Sequence, residues 1–507
     1  MPVRPPTVEE LRDIAESFGL RLTDPDLESF QGLIMPLLES YRTVERLAEP
    51  PLLPVKYPRS AGRRPTPEEN PFNAWYWRCE IRGADEGPLA GKAVAVKDNV
   101  CVAGIPMMNG SATLEGYVPE VDATIVTRIL DAGGTIVGKA VCEDLCFSGG
   151  SFTPYTGPVL NPRDPSRQAG GSSCGSAALL AAGEVDLAIG GDQGGSIRIP
   201  SCWSGIVGHK PTYGLVPYTG VFPIELTLDH TGPMGRSVRD VAVFLEVLAG
   251  RDGLDPRQPS EVPSQRYSEA LGGNLTGVRV AIVGEGFGWE GLSEPEVDDA
   301  VRDAAHRLEK VGATVRDVSV PMHRNGIHIW NAVIIEGATE LMVKGNAMGS
   351  NWKGFYTTSL LDKYAQGLRT RANDLSETVK LVVLLGEYLH RNYGGRHYAK
   401  GQNLVHTLRQ AYDDALADAD VLVMPTLPLR PTPIPPPDAS REEYCARALE
   451  MIPNTAPFDA SGHPAVTVPC HPEGTLPIGM MIIGRHFADG DVLRVAAAFE
   501  EQVGGFA

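Results

Sequence analysis

The chain has 507 residues, of which 42% are hydrophobic and 21% charged, a balance typical of a globular protein with a large core. This length favours about two to four domains, or one unusually large α/β unit. The formal net charge of −18 repels phosphate backbones, and no run of lysine or arginine offsets it, so nucleic acid is excluded as an expected partner. No stretch approaches the roughly 18 apolar residues of a membrane span, and no signal-peptide pattern is found, so no membrane association is expected.

The eight cysteines are scattered along the chain and form no disulfide framework. Cys142 and Cys146 lie four positions apart, but no second Cys or His pair with metal-ligand spacing accompanies them. We therefore expect free thiols in a reducing cytoplasm, with no metal and no cofactor.

Helical periodicity marks the first part of the chain, residues 7–48. Apolar residues recur there at spacings of three and four, as at Leu11, Ile14, Ala15 and Phe18. A proline-rich polar stretch over 49–71 follows and is typical of a linker. We expect an N-terminal helical segment over 1–66, suited to packing or dimerisation, and a second domain over 67–507.

From about residue 89 onward, short apolar strands alternate with helices. Strands are predicted at 93–96, 135–138, 185–189, 278–283, 314–318, 420–425 and 464–469, and helices at 123–132, 176–182 and 294–311. Residues 322–416 are predicted to be mainly helical and to form a cap or insertion. The alternation predicts an open α/β sheet covered by helices on both faces.

A glycine-rich turn directly follows the buried strand at 185–189. It runs Gly190-Gly191-Asp192-Gln193-Gly194-Gly195-Ser196. Several backbone N–H groups of such a turn point one way and can stabilise the oxyanion of a tetrahedral intermediate, by about 3–4 kcal/mol per donor. A purely structural turn or an anion cradle is the alternative, but the spacing of a phosphate-binding P-loop is missing.

Another glycine turn, the first of the two in chain order, precedes the helix at 176–182 and reads Gly170-Gly171-Ser172-Ser173-Cys174-Gly175. A serine in this position is most often a helix N-cap or turn residue. The run also fits the nucleophile elbow G-x-S-x-G, but residues 161–168 before it are polar and contain two prolines. That elbow requires a buried strand, so the context excludes it.

A single lysine, Lys97, ends the apolar strand at 93–96 and precedes Asp98 and Asn99. A lysine that leaves a strand usually points to solvent. In a buried site, desolvation instead disfavours an ammonium group, and a neutral lysine can then act as a base near neutral pH.

Together these three segments resemble the amidase signature family, and the likeness spans about residues 72–500. It implies that family's α/β fold, a large mixed twisted β-sheet flanked by helices on both faces, and a catalytic domain over 67–507. It also implies a Ser-Ser-Lys triad of Lys97, Ser172 and Ser196. Neutral Lys97 takes a proton from Ser172, and Ser172 relays one from Ser196. Ser196 then attacks the amide carbonyl, and water hydrolyses the acyl-enzyme.

The resemblance further implies an oxyanion hole formed by the backbone N–H groups of Gln193, Gly194, Gly195 and Ser196. It also implies a cis peptide bond at Gly171–Ser172. One departure is Cys174, which stands where most members have glycine, so a tighter first loop with a thiol close to Ser172 is expected.

Within the family, the chain looks closest to bacterial nitrile-pathway amidases, which accept a broad range of aliphatic and aromatic amides, often enantioselectively. The features that carry this likeness are Gln193, the N-terminal helices and the run from Cys142 to Ser148. By resemblance Phe147 and Ser148 line the acyl pocket, and we add Ile452. The alternative for Phe147 and Ile452 is ordinary core packing.

Asp192 and Arg198 flank the proposed nucleophile and carry opposite charges. We expect them to pair and to orient the loop that bears Ser196. An ordinary structural salt bridge is the alternative.

Three other patterns are rejected. Residues 284–288 suggest a dinucleotide loop, but Trp289 stands where G-x-G-x-x-G requires glycine. Ser350 and Lys353 fit S-x-x-K, yet neither S-D-N nor K-T-G occurs in the chain. His209 and His230 lack a matched acid motif that would make either the base of a Ser-His-Asp site.

The predicted function is hydrolysis of a small-molecule carboxamide to a carboxylate plus ammonia or an amine. One alternative is the glutamine-hydrolysing subunit of a tRNA-dependent amidotransferase, which would need partner subunits. Others are a carbamate, urea or ester hydrolase with the same chemistry, and a non-catalytic scaffold, disfavoured because all three triad positions are intact. The N-terminal helices and the resemblance lead us to expect a homodimer.

Overall fold

Two helices with capping boxes form the N-terminal part of the chain, α1 (Val8–Ser17) and α2 (Asp24–Arg46). Thr7 and Thr23 cap them, each accepting a hydrogen bond from the backbone N–H three residues later. These helices confirm the periodicity of residues 7–48. Several of their large apolar side chains are nonetheless exposed: Ile14, Phe18, Phe30, Leu33, Leu37, Tyr41 and Val44.

The structure, a computed structural model, describes residues 3–263 and 265–506. Positions 1, 2, 264 and 507, which the predicted segments 1–66 and 67–507 include, lie outside the described residues. The chain divides into two compact units, one ending at Pro54 and one beginning at Val55. The boundary at residue 66 stays a prediction.

A mixed sheet of eleven strands is the centre of the larger unit, and its strand order is β1-β3-β2-β6-β8-β7-β12-β13-β11-β9-β10. A two-stranded sheet, β4 with β5, accompanies it. The strands are β1 Trp75–Arg82, β2 Ala93–Lys97, β3 Thr135–Ala140, β4 Leu160–Asn161, β5 Asp164–Gln168, β6 Leu187–Asp192, β7 Val207–Lys210, β8 His230–Gly235, β9 Arg279–Val283, β10 Thr314–Val318, β11 Val421–Pro425, β12 Ala465–Pro469 and β13 Gly479–Ile483.

Helices flank this sheet and supply most of the remaining core. They are α3 Thr124–Asp131, α4 Cys174–Ala181, α5 Arg198–Ser204, α6 Val238–Leu248, α7 Pro295–Arg307, α8 His323–Ala338, α9 Thr358–Arg371, α10 Glu377–Tyr393, α11 Arg396–Ala417, α12 Arg441–Leu449, α13 Ala456–Ser461 and α14 Asp489–Val503. The predicted fold class, an α/β protein with a large mixed sheet flanked by helices, is confirmed. Four helices, α8 to α11, begin within the region 322–416 that was predicted to be mainly helical, and α11 ends one residue beyond it.

Strand β2 lies between β3 and β6 and is parallel to both, whereas β8 joins β6 in antiparallel fashion. In the register of β2 and β6, Val96 lies beside Ile189. The carboxyl ends of the two strands therefore lie side by side. Lys97, the last residue of β2, is at one of these ends, and the loop that follows Asp192 starts at the other.

Across the described ranges, with their gaps at the termini and at 264, no helix is long and apolar enough to cross a bilayer.

Candidate active site

The parallel pair β2 and β6 brings Lys97 beneath the second glycine loop. Lys97 is completely buried, and its Nζ donates a 3.2 Å hydrogen bond to the carbonyl oxygen of Gly191 at the end of β6. The side chain of Lys97 therefore does not point to solvent, as a lysine leaving a strand usually does.

A second hydrogen bond, 2.7 Å long, joins Lys97 Nζ to Ser172 Oγ. Ser172 is completely buried and lies in the turn before α4, whose N-cap is Ser173. The peptide bond between Gly171 and Ser172 is cis, as the resemblance implied. Two of the three predicted triad residues are thus in direct contact.

Ser196 lies in the loop between β6 and α5 and lines a cavity. Only 6% of its surface is exposed. Among the hydrogen bonds of the described residues, none joins Ser172 Oγ to Ser196 Oγ. The contact between the second and third triad residues therefore stays a prediction.

The loop before Ser196 requires glycine at two positions. A Cβ atom on Gly194 would lie 2.6 Å from the indole ring of Trp330. Gly195 has a φ of 134°, and a Cβ there would lie 2.4 Å from Thr455 Oγ1. A side chain at either position would displace the loop that presents Ser196.

The backbone N–H groups of this loop differ in availability. Gly195 donates its N–H to the carboxylate of Asp192, so in this structure it is already engaged and differs from the open donor that was expected. The N–H groups of Gln193, Gly194 and Ser196 have no hydrogen-bond partner within the described part of the chain. The predicted oxyanion hole stays a prediction, with three free donors rather than four.

Asp192 and Arg198 form a fully buried, two-pronged ion pair, with Arg198 Nε and Nη2 at 3.0 and 3.1 Å from the two Asp192 oxygens. Burial alone would raise the pKa of Asp192, but the charge and hydrogen bonds of Arg198 outweigh it and hold that pKa well below its usual range. Arg198 also donates to Asp459, 2.7 Å away. Burial and the nearby charge of Asp192 raise the pKa of Asp459 well above its usual range. Sequence reasoning missed Asp459, because no motif marks it.

Two neighbouring cavities share part of their walls: a smaller one that Ser196 lines, called the inner cavity, and a larger one, called the outer cavity. The inner one measures about 30 Å³ and is lined by all three predicted pocket residues, Phe147, Ser148 and Ile452. The outer one measures about 440 Å³ and shares Phe147 and Ile452 with the inner cavity. Phe147 also packs in the hydrophobic core, so the two interpretations of this residue are compatible.

Comparison with known proteins identifies the family. A family model described as Amidase matches residues 69–493. An enantioselective amidase of Rhodococcus rhodochrous is 49% identical over 506 residues, covering 99% of this chain and 96% of that protein.

The chain belongs to the amidase family.

It is an amide-hydrolysing enzyme, as the sequence predicted. More distant members include a glutamyl-tRNA(Gln) amidotransferase subunit of Methanosarcina acetivorans, 36% identical over 84% of this chain and 87% of that one. A solved bacterial aryl acylamidase of the amidase signature family superposes with a TM-score of 0.71 at 26% identity, covering 82% of this chain and 83% of the other.

The two histidines that were considered as bases in this amidase-family protein, His209 and His230, make contacts away from Ser196. His209 Nε2 lies 2.9 Å from Asp489, and His230 Nδ1 lies 2.7 Å from the carbonyl oxygen of Leu228. Burial lowers the pKa of His230 well below its usual range. Neither residue lines the cavity that contains Ser196.

Cys174, the departure from the family pattern, is fully buried at the first turn of α4. Its Sγ donates to the carbonyl oxygen of Val141 at 3.5 Å, and burial raises the pKa of its thiol well above the usual range. Away from the cavity, Asp413, His463 and His486 place potential metal-ligand atoms within 4.8 Å of one another. Both ring nitrogens of His463 already lie within hydrogen-bonding distance of protein partners.

Sequence reasoning missed Trp330, which lines both cavities. Its Nε1 donates a 2.7 Å hydrogen bond to the carbonyl oxygen of Gln193. An isolated tryptophan in a helical region more than a hundred residues after the motifs gives no signal that would have found it. Cys146, Ile334 and Leu449 line the inner cavity and were missed as pocket residues for the same reason.

Proposed function

We propose that this protein hydrolyses uncharged carboxamides to a carboxylate plus ammonia or an amine, through an acyl-enzyme on Ser196. The observation that carries the proposal is the 2.7 Å hydrogen bond between buried Lys97 and buried Ser172, next to the cavity that Ser196 lines. A lysine, a serine and a cavity serine in this order form a path for a proton that requires no histidine.

In the first step, Ser172 passes its proton to neutral Lys97 and accepts the proton of Ser196, while Ser196 Oγ attacks the amide carbonyl. The tetrahedral intermediate collapses when the relay runs backwards and protonates the departing nitrogen. Water then attacks the acyl-enzyme with the same relay as its base. Closure of the Ser172–Ser196 contact when substrate binds is part of the proposal, since catalytic hydrogen bonds often tighten only in the substrate complex.

Stabilisation of the oxyanion is assigned to the backbone N–H groups of Gln193, Gly194 and Ser196. Each aligned donor contributes roughly 3–4 kcal/mol to the stability of the transition state. The Asp192 carboxylate accepts from the N–H groups of Gly195 and Ile197, and Arg198 fixes that carboxylate from the other side. We propose that this pair holds the loop in the conformation that aims the free donors at the substrate.

The lining of the cavities favours uncharged, apolar substrates. The residues around both cavities are mainly aromatic and aliphatic, and they include Glu290 and Glu450 but no lysine or arginine. The carboxylate of free glutamine would be desolvated there without a cationic partner, which is costly. This supports an amidase over a glutamine-hydrolysing amidotransferase component, as does the 49% identity to an enantioselective amidase.

The test is ammonia release from acetamide, benzamide and free glutamine, measured on the wild type and on Ser196→Ala. We expect turnover of the two uncharged amides and its loss in the variant. Turnover of glutamine alone would reject the proposed substrate class. Absence of turnover on all three, with hydrolysis of phenyl carbamate or phenyl acetate instead, would assign the same chemistry to carbamates or esters.

A homodimer is also proposed, with a second copy of the chain covering α2. The side chains of Phe30, Leu33, Leu37, Tyr41 and Val44 recur every three or four residues and are 49–69% exposed. Such a stripe at helical spacing is typical of a face that packs against a partner.

A cytoplasmic location is also proposed. The eight unpaired cysteines support it, because free thiols persist in a reducing compartment.

Light scattering after size exclusion tests the dimer. Leu33→Arg combined with Leu37→Arg places two charges in the stripe and is expected to give a monomer. Glu28→Arg, at an exposed position of α2 outside the stripe, is expected to leave the dimer intact. A monomeric wild type would reject the proposal.

A further inference from the structure

The inner cavity contains a thiol that the proposed mechanism does not use. Cys146 lines this cavity together with Ser196 and Phe147, although only 5% of its surface is exposed. A small molecule that reaches the nucleophile therefore also reaches the sulfur of Cys146.

The surroundings of Cys146 are those of a reactive thiol rather than of an inert core cysteine. Its thiol lies near Lys97, Ser172 and a second thiol, Cys142, and these three groups act to lower its pKa. Both thiols donate a hydrogen bond to Asn109 Oδ1, at 3.3 Å for Cys142 and 3.2 Å for Cys146.

Asn109 supplies a further observation. It is completely buried, and its Nδ2 has no hydrogen-bond partner among residues 3–263 and 265–506. A half-turn of its amide would aim the Nδ2 donors at the two sulfurs. A buried N–H donor in that place stabilises a thiolate and would itself be satisfied by it.

The acidity of the two thiols differs. Burial raises the pKa of Cys146, but the hydrogen bond with Cys142 and the charge of Lys97 outweigh burial and bring that pKa down to about 7. Burial raises the pKa of Cys142 well above its usual range, so Cys142 keeps its proton. One thiolate is thus supported by a neighbouring thiol and a lysine.

We propose that Cys146 is a thiol modification site inside the active-site cavity, which reacts with small, soft, uncharged electrophiles and thereby stops the proton relay through Lys97 and Ser172. A group attached to the sulfur occupies the space beside Ser172 and so blocks the transfer of a proton from Ser172 to Lys97.

Methyl methanethiosulfonate is a suitable probe, because it is small and uncharged and its adduct can be removed. The Cys146 thiolate attacks its sulfenyl sulfur, a new S–S bond forms, and methanesulfinate leaves with the bonding electron pair. Dithiothreitol then releases the methylthio group by thiol–disulfide exchange. Recovery of activity after this step distinguishes modification from denaturation.

The experiment compares the wild type, Cys146→Ala and Cys445→Ala, each relative to its own activity before treatment. Cys445 lies in α12, is partly exposed and does not line either cavity. We expect treatment to lower amide hydrolysis about tenfold or more in the wild type and in Cys445→Ala, and dithiothreitol to restore it. Cys146→Ala is expected to keep its activity, and peptide mass mapping is expected to find the methylthio group on Cys146.

Inactivation of Cys146→Ala at the wild-type rate would overturn the proposal, as would an inactivated wild type whose Cys146 is unmodified. Should the variant fail to fold, the carboxylate product of the assayed amide provides a second test on the wild type. This carboxylate is expected to slow the modification of Cys146 but not that of Cys445. Equal rates of Cys146 modification with and without the carboxylate would overturn the proposal. The activity readout rests on the proposed function, whereas mass mapping reports labelling even if no amide is turned over.

Discussion

Neighbouring serines in the first glycine turn have different surroundings. Ser172 Oγ contacts Lys97 Nζ, whereas Ser173 Oγ is hydrogen-bonded to the backbone of Gly191 at 3.2 and 3.3 Å. Removing each hydroxyl group in turn therefore separates the loss of a proton-transfer group from the loss of a structural hydrogen bond within a single turn.

We expect Ser172→Ala to lower kcat by about 10²–10⁴, the typical contribution of a positioned proton-transfer group. Ser173→Ala removes a buried hydrogen-bonding group, so it is expected to cost about 1–3 kcal/mol of unfolding free energy but less than about tenfold in kcat. Initial rates of ammonia release and urea unfolding of both variants check this. A similar loss of rate in both variants would contradict the relay role of Ser172.

A buried carboxyl group beneath the same turn makes stability depend on pH. Burial raises the pKa of Glu143 from 4.5 to about 7. Between these values the native state holds a proton that the unfolded state has released. The stability that neutral Glu143 contributes is therefore complete below pH 4.5 and is lost as the pH rises through about 7.

Glu143→Gln has no such proton to lose. Between about pH 5 and 8, we expect the free energy of unfolding of the wild type to fall relative to that of the variant, by up to about 3 kcal/mol. Urea unfolding at several pH values measures the difference, and Asp144, whose pKa burial raises to about 6, is common to both chains. Parallel pH profiles would show that Glu143 does not titrate in this range.

At the level of residues, sequence reasoning finds candidate site residues where chemistry fixes a short motif. Lys97, Ser172 and Ser196 occur in short runs whose glycine spacing can be recognised without a structure. Trp330 and Asp459 escape because their contacts to the loop depend on tertiary packing of α8 and α13. The hydrogen bond from the Gly195 N–H to Asp192 could not be predicted from the sequence either, since it depends on the orientation of the Asp192 side chain.

Among the elements, helix α8 contacts the loop between β6 and α5, which bears Ser196. The indole Nε1–H of Trp330 is the donor to the Gln193 carbonyl, which belongs to the same peptide group as the Gly194 N–H, one of the three donors assigned to the oxyanion hole. The ring also forms part of the wall between the two cavities. The position of α8 and the geometry of the loop are therefore linked through one side chain.

Trp330→Phe keeps most of the apolar wall and removes this donor. We expect kcat for a small amide to fall about tenfold, which corresponds to loss of roughly 1.4 kcal/mol of positioning, with a smaller change in KM. Trp352→Phe is the control, because its indole also donates to a backbone carbonyl, that of Phe355, but lines neither cavity. Equal kcat values for Trp330→Phe and the control would contradict the link.

The elements that were predicted share a strong local pattern. Strands β2, β9 and β12 are apolar runs rich in valine and isoleucine or bounded by turn residues, and α2 repeats its apolar positions. Strands β7 and β8, with the sequences Val-Gly-His-Lys and His-Thr-Gly-Pro-Met-Gly, escape because glycine, proline and histidine carry little strand preference. Long-range pairing in the centre of the sheet stabilises them instead.

For the molecule as a whole, the net charge of −18 adds to the local effect of Glu290 and Glu450. We expect kcat/KM for succinamate, an amide with a carboxylate, to be well below that for uncharged butyramide. The difference is expected to shrink as salt rises from about 0.01 to 1 M, because the Debye length falls from about 30 to 3 Å. Rates at a series of salt concentrations measure this.

One control variant sharpens the result. Glu450→Gln removes one of the two carboxylates that line the outer cavity and is expected to narrow the difference at low salt. A difference that does not respond to salt would assign the discrimination to desolvation inside the cavity rather than to the field of the molecule.

The class of the fold follows from the alternation of strands and helices, but the order of the strands does not. Segments far apart in sequence, such as β7 and β12, are neighbours in the sheet. Such pairings depend on the packing of the complete sheet, which no local window of sequence contains. The large mixed sheet was therefore predictable by resemblance, and its register was not.

The register of β2 and β6 has a consequence for how new specificities arise. Main-chain pairing sets the distance from Lys97 to the loop that bears Ser196, whereas separate segments (146–149, α8 and 449–453) supply much of the cavity wall. Selection can therefore remodel the wall while the reaction machinery keeps its alignment. A library randomised at Ile334, Leu449 and Ile452 is the natural starting point for evolving the enzyme toward bulkier amides.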